Sequence, residues 1–147
     1  MGNYIDREID RGREIIHEID DFIVRNDKGG RIIATRYDHL DNYFFHIERL
    51  LNAGQLMIQR NDKGEISAVC GWILTTKEHE HEINKITWVL PNEISNGDIL
   101  YVSFSVIADG NIHLFRREFR KLLCDKVVEA FWFDAPAGWG SGIPSGP

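Results

Sequence analysis

Cysteine is scarce in this chain. The two present, Cys70 and Cys124, sit in apolar surroundings without CxxC spacing, so no disulfide framework is indicated and both read as buried thiols of a reducing compartment. Long apolar runs are missing as well: no segment approaches the ~20 residues of a membrane span. The opening MGNYIDREIDRGREI is too charged for a signal peptide, and a cytoplasmic protein is expected. An excess of positive charge is also lacking. With 17 basic against 23 acidic residues and a net charge of −6, a general nucleic-acid coat is disfavoured, while local basic faces remain free to meet anionic partners.

What is present is enough to build one core. The chain has 147 residues, 43% of them hydrophobic, including eight Phe, four Tyr and four Trp, and this length argues for a single domain. That domain is expected over residues 1–134. The last stretch, 135–147 (APAGWGSGIPSGP), is too rich in Gly, Pro and Ser to order itself and reads as a flexible tail. Trp139 and Ile143 within it either pack loosely on the body or form a flap over a site.

The segment from Asn96 to Lys121 organises the rest. Asn96-Gly97 signals a turn, Ile99 to Ala108 is β-branched, aromatic and almost continuously apolar, and Asp109-Gly110-Asn111 punctuates before a helical period begins. Such a strand is expected to be central and covered on both faces. The helix after it sets Phe115, Phe119 and Leu122 on one stripe, with His113, Arg116, Arg117, Arg120 and Lys121 on the other side. A glycine turn leading into a helix leaves backbone N–H groups and the positive end of the helix dipole for an anion. A solvated basic face is the simpler alternative.

Elsewhere the periods predict a helix over Tyr4 to Arg25 weakened at Gly12, and a strand or plain connection over Arg31 to Thr35. A second helix is predicted from about Asp38, its N-cap, to Leu51, closed by Asn52-Ala53-Gly54. Gln55 to Arg60 and Glu65 to Leu74 read as a hairpin around Asn61-Asp62-Lys63-Gly64, with Gly71 marking a bulge or a close backbone approach. His79 and His81 alternate among carboxylates, but without a third and fourth ligand for a metal a solvated turn is the better reading. Ile83 to Leu90 and Lys126 to Phe133 read as further strands, the latter parallel to the core strand after a crossover. The fold class is α/β: a mixed, mostly antiparallel sheet flanked by helices.

This order of helices, hairpin, core strand and basic helix resembles the GNAT acyltransferase fold. The pattern NAGQLMIQR to AVCGW, SNGDILYVSFSVIADGN, LFRREFRK and VVEAFWFDAPAG is similar, over about residues 36 to 138, to the toxin-activating lysine acyltransferases of the RTX type. The resemblance implies transfer of an acyl group from acyl carrier protein or acyl-CoA to a protein lysine, with no tightly bound cofactor. It further implies donor phosphates held by Arg116, Arg117, Arg120 and the Gly110 turn. The Q/R-x-x-G-x-G/A loop of GNAT proteins is absent, its place taken by Ala108 to His113.

The family's catalytic histidine maps to His39, with His46 as competitor on the same helix face. Its aspartate maps to Ser105, which can hydrogen-bond a histidine but not charge-stabilise it; Asp98 and Asp109 are the carboxylates that could substitute. The competing expectation is a non-catalytic interaction or inhibitor module on the same scaffold, with the acidic first helix as its partner surface.

Overall fold

The computed structural model describes residues 2–9, 12–84, 86–108, 113–123 and 129–132, with 122–123 and 129–132 described by backbone alone. Gly110, Cys124 and the 135–147 tail lie outside the described residues. In chain order the elements are β1 (Tyr4–Ile5), α1 (Arg13–Asn26), α2 (Arg31–Asp38), α3 (Leu40–Asn52), β2 (Leu56–Arg60), β3 (Ile66–Thr75), a 3-10 turn (Glu80–Glu82), β4 (Ile99–Ile107), α4 (His113–Leu123) and β5 (Glu129–Trp132). The strands make one sheet in the order β1-β2-β3-β4-β5, antiparallel except for the parallel pair β4–β5. This is the mixed, mostly antiparallel sheet flanked by helices that the sequence predicts.

The predicted hairpin forms because Asn61 closes it: its side-chain oxygen accepts the N–H groups of Lys63 at 2.9 Å and Glu65 at 3.0 Å, and Gly64 supplies φ +80°. Alternation then sorts β3 and β4 onto two faces. Val69, Ile73, Phe104 and Val106 join Ile15, Ile19, Phe22 and Ile23 of α1 and Tyr43, Ile47 and Leu50 of α3 in one buried cluster. Ala68, Cys70, Trp72, Leu100 and Val102 join Phe115 and Phe119 of α4 in the other. The core strand is thus covered on both faces, as its continuous apolarity requires.

Four local expectations need correction. Helix α1 starts only after Gly12, and Tyr4–Ile5 instead pairs with Arg60 and Gln59 at the sheet edge. Arg60 holds that edge, donating to Asp6 at 2.8 Å and to Glu18 of α1 at 2.6 Å. Residues 31–38 are helical rather than extended. Asp27 makes this possible: its N–H closes α1 on Ile23 O at 2.9 Å while its carboxylate accepts Ile33 N–H at 3.0 Å, and Gly30 turns the chain at φ +71°.

Asp38 ends α2 instead of capping the next helix, and His39 takes the junction at φ −137°. Finally, the described residues of the 83–90 segment, 83–84 and 86–90, form a turn rather than a strand. Asn84 and Val89 exchange backbone hydrogen bonds, the Asn84 side chain accepts the N–H groups of Ile86 and Thr87, and Trp88 adopts φ +56°. A side chain that satisfies its own turn competes with a strand ladder.

Asp20 locks the three leading helices. Its carboxylate accepts both Arg36 Nε at 2.7 Å and Nη2 at 3.0 Å, and the Tyr43 hydroxyl at 2.8 Å. Burial pushes this carboxyl up, but the Arg36 and Tyr43 hydrogen bonds hold it below its ordinary value. The segment before β4 is held as firmly. Gln55 Nε2 donates to Trp72 O at 3.0 Å and Ile94 O at 2.6 Å, and its Oε1 accepts from Ser95. Gly97 runs against β3 so closely that an added Cβ would lie 1.8 Å from Thr75 O, a rigid backbone atom.

Gly97→Ala is therefore expected to cost on the order of 3 kcal/mol, because overpacking against backbone cannot relax. At Gly71, a Cβ would instead meet side-chain atoms, Leu50 Cδ1 and Phe104 Cε1, at 2.6 Å, and Gly71→Ala should cost less. Urea denaturation measures both, and an unchanged midpoint for Gly97→Ala would contradict the close approach.

Candidate functional site

The site is built by a mismatch between two strands. Gly71 pairs with Phe104, yet the next residue of β3, Trp72, pairs with Val102, so Ser103 is an extra residue in β4. A bulge of this kind places two successive side chains on one face. Phe104 packs over side-chainless Gly71, and Ser103 meets α3, where its Oγ lies 2.5 Å from His46 Nε2. The β4–β5 ladder, as far as the described residues show it, runs from Ile99↔Glu129 to Val102↔Trp132.

His46 sits in an aromatic box. Its ring is 4.3 Å from that of Trp88, which also stands 5.1 Å from Phe104 and is stacked 5.4 Å from Tyr43. Both rings are nearly sealed, at 2% exposure for His46 and 4% for Trp88. Burial pushes the His46 pKa down to about 3, opposed by the Trp88 backbone and helped by the charge of Arg49. The ring is neutral at physiological pH. In the tautomer that carries its proton on Nδ1, Nε2 accepts from the Ser103 hydroxyl. Nδ1 itself makes no hydrogen bond of full geometry, and neither does Trp88 Nε1.

The residues expected from sequence do not converge. Half-buried His39 stands at the α2–α3 junction, seven residues and thus roughly 10 Å along the helix from His46. Ser105 pairs with Cys70 and so faces α4, on the side of the sheet opposite α3; its Oγ is buried without a described partner. Asp98 is exposed just ahead of β4 and, at ~3.3 Å per residue, stands about 23 Å from Ser105. The histidine that reaches the core strand is therefore His46, and its partner is Ser103.

On the other face, α4 buries Phe115 and Phe119 and presents Arg116, Arg117, Arg120 and Lys121, which with His113 line a shallow cavity of about 430 Å³. Glu118 on the same helix is engaged by Arg7 at 2.5 Å and by Lys121 at 3.5 Å. Burial pushes the Cys70 thiol far up, leaving it unreactive at neutral pH. At the polar excursion, His79 Nδ1 contacts Glu82 at 2.5 Å, and among the described residues no group of three or more His, Cys, Asp or Glu is placed to hold a metal ion.

No protein-family model and no curated protein matches this chain. Sequence reading missed Ser103, one of two serines in VSFSV, and Trp88, hidden in an apparent strand. Gly71 was the available signal, since a glycine inside a strand announces a bulge without saying which opposing residue is extra.

A histidine that stays neutral when folded but titrates near 6.5 when unfolded makes the unfolded chain the better proton acceptor below that pH. Its contribution is present above pH 6.5 and is lost as pH falls towards 3. Denaturation at pH 7 and pH 4.5 should show a larger loss of stability for the wild type than for His46→Gln. Equal losses would mean that His46 is not buried as a neutral ring.

Proposed function

We propose that this protein transfers an acyl group from a thioester donor, acyl carrier protein or acyl-CoA, to an amine. The observation that carries the reading is the Ser103–His46 contact at the β4 bulge, on the strand that leads into basic α4. The cations of α4 suit the phosphate of a pantetheine arm or the acidic surface of a carrier protein. Backbone N–H groups of the core strand would steady the thioester oxygen as charge develops. As the amine attacks, the C–N bond forms and the amine becomes acidic. Its proton passes to neutral His46 by way of the Ser103 hydroxyl, and the C–S bond breaks. The departing thiolate recovers that proton from His46.

A lysine acceptor remains part of this proposal only through the family resemblance. The second reading, a non-catalytic interaction module, draws support from the same histidine, because a pKa of about 3 makes a weak base.

The readings separate in single-turnover assays with acetyl-CoA, long-chain acyl-CoA and acylated carrier protein, following amide product by mass spectrometry. Ser103→Ala and His46→Gln should each slow transfer by about 100-fold or more if general base catalysis operates. Arg117→Glu should weaken the donor while sparing the chemical step. If no donor raises the melting temperature, as binding to the folded state must, and no amide forms, the module reading replaces this one.

A further inference from the structure

His46 touches Ser103 through Nε2 and also lines a cavity of about 410 Å³ between α3 and the 84–92 segment. This volume lies in the usual range for small-molecule sites, roughly 300–1,000 Å³. Its walls are of two kinds. Phe45, Val89 and Leu90 are apolar, and Phe45 and Val89 remain 64% and 45% exposed at the surface. Asn42, Arg49 and Asn92 are polar. Asn42 is already engaged, its amide donating to Thr87 O at 3.0 Å, and Arg49 Nη2 donates to Asn92 O at 2.5 Å.

Two features point to an occupant. Among the described residues, Arg49 is the one charged side chain in the lining, and no carboxylate faces it there. In addition, Trp88, nine-tenths buried in the lining, keeps its Nε1 without a hydrogen-bond partner. Buried polar atoms of this kind are rare and call for an explanation. The indole Nε1 can only donate. Trp88 is moreover held at φ +56°, an unfavourable conformation for a bulky residue, and such strain clusters at ligand clamps.

We propose that this cavity binds a small carboxylate with an apolar body, the carboxylate paired with Arg49 and the body lying against Trp88, Phe45 and Leu90. A cationic amine side chain would meet Arg49 with like charge, and a phosphate would find a single cation among apolar walls. A bound carboxylate would also cancel the Arg49 charge that acts on His46, so occupancy and the state of the Ser103–His46 pair are linked. The proposal does not require acyl transfer; if transfer occurs, the ligand is the natural place to look for the acceptor.

Phenylacetate and octanoate, titrated into the full chain by calorimetry against phenylacetamide and phenethylamine, test it. Both carboxylates should bind, with the amide and amine weaker by about tenfold or more, the loss of one charge-assisted contact. Arg49→Gln should abolish the preference and Arg49→Lys retain part of it. Arg117→Glu should leave it intact. Val89→Trp, a change at an exposed mouth position, should block binding without unfolding the chain.

Carboxylates binding no better than the amide, a preference that survives Arg49→Gln, or undiminished binding to Val89→Trp would overturn the proposal. Carboxylate binding without transfer, or transfer without carboxylate binding, tells the two readings apart.

Discussion

Between the Gly71–Phe104 and Trp72–Val102 pairs, β4 holds one residue more than β3, and the arrangement of the site depends on that surplus. The sheet can absorb it because Gly71 has no side chain, which lets Phe104 and Leu50 close over the strand. The bulge turns Ser103 towards α3, and α3 answers with His46. The next serine, Ser105, is thereby turned to the α4 face. A single residue thus decides which serine meets a histidine and which faces the basic helix.

Holding His46 in place requires the leading helices to be fixed, and polar contacts fix them. Tyr43 takes part twice. Its hydroxyl completes the Asp20–Arg36 pair that ties α1 to α2, while its ring stacks on Trp88 above His46. Satisfied buried networks specify one arrangement where apolar packing alone would tolerate several. Gln55 has the same role for the 91–97 segment, accepting from Ser95 and donating to two carbonyls on different strands of chain. The cavity over His46 lies between these two clamps, with an alignment of Trp88 that its own turn enforces through Asn84.

Much of the fold was legible, and what was not has a common cause. The hairpin, the core strand and α4 declared themselves because their periods and turn residues agree with their surroundings. Residues 31–38 looked extended because Ile32-Ile33 and Thr35 are β-formers; Asp27, several residues upstream, supplies the hydrogen bond that makes them helical. The apparent strand at 83–90 failed for a similar reason, since the Asn84 side chain replaces the ladder that a neighbouring strand would have provided.

The site was less legible than the fold. His46 stood in view as one of two histidines on a helix face, but choosing between them needs the partner, and the partner is set by strand register. Family pattern pointed to Ser105, which is two residues from the true contact and on the wrong face for α3. Register and bulge position are products of pairing, so no single segment contains them.

The most direct test of this account is a nitrogen-15 NMR titration of the histidine side chains from pH 7.5 to 4.5. The account predicts one imidazole locked as the neutral ring with its proton on Nδ1, assignable to His46 by its loss in His46→Gln, and unchanged across the range. Ser103→Ala should alter its Nε2 shift. A His46 signal that titrates near 6.5, or one indifferent to Ser103, would contradict the bulge-centred site from which the functional readings follow.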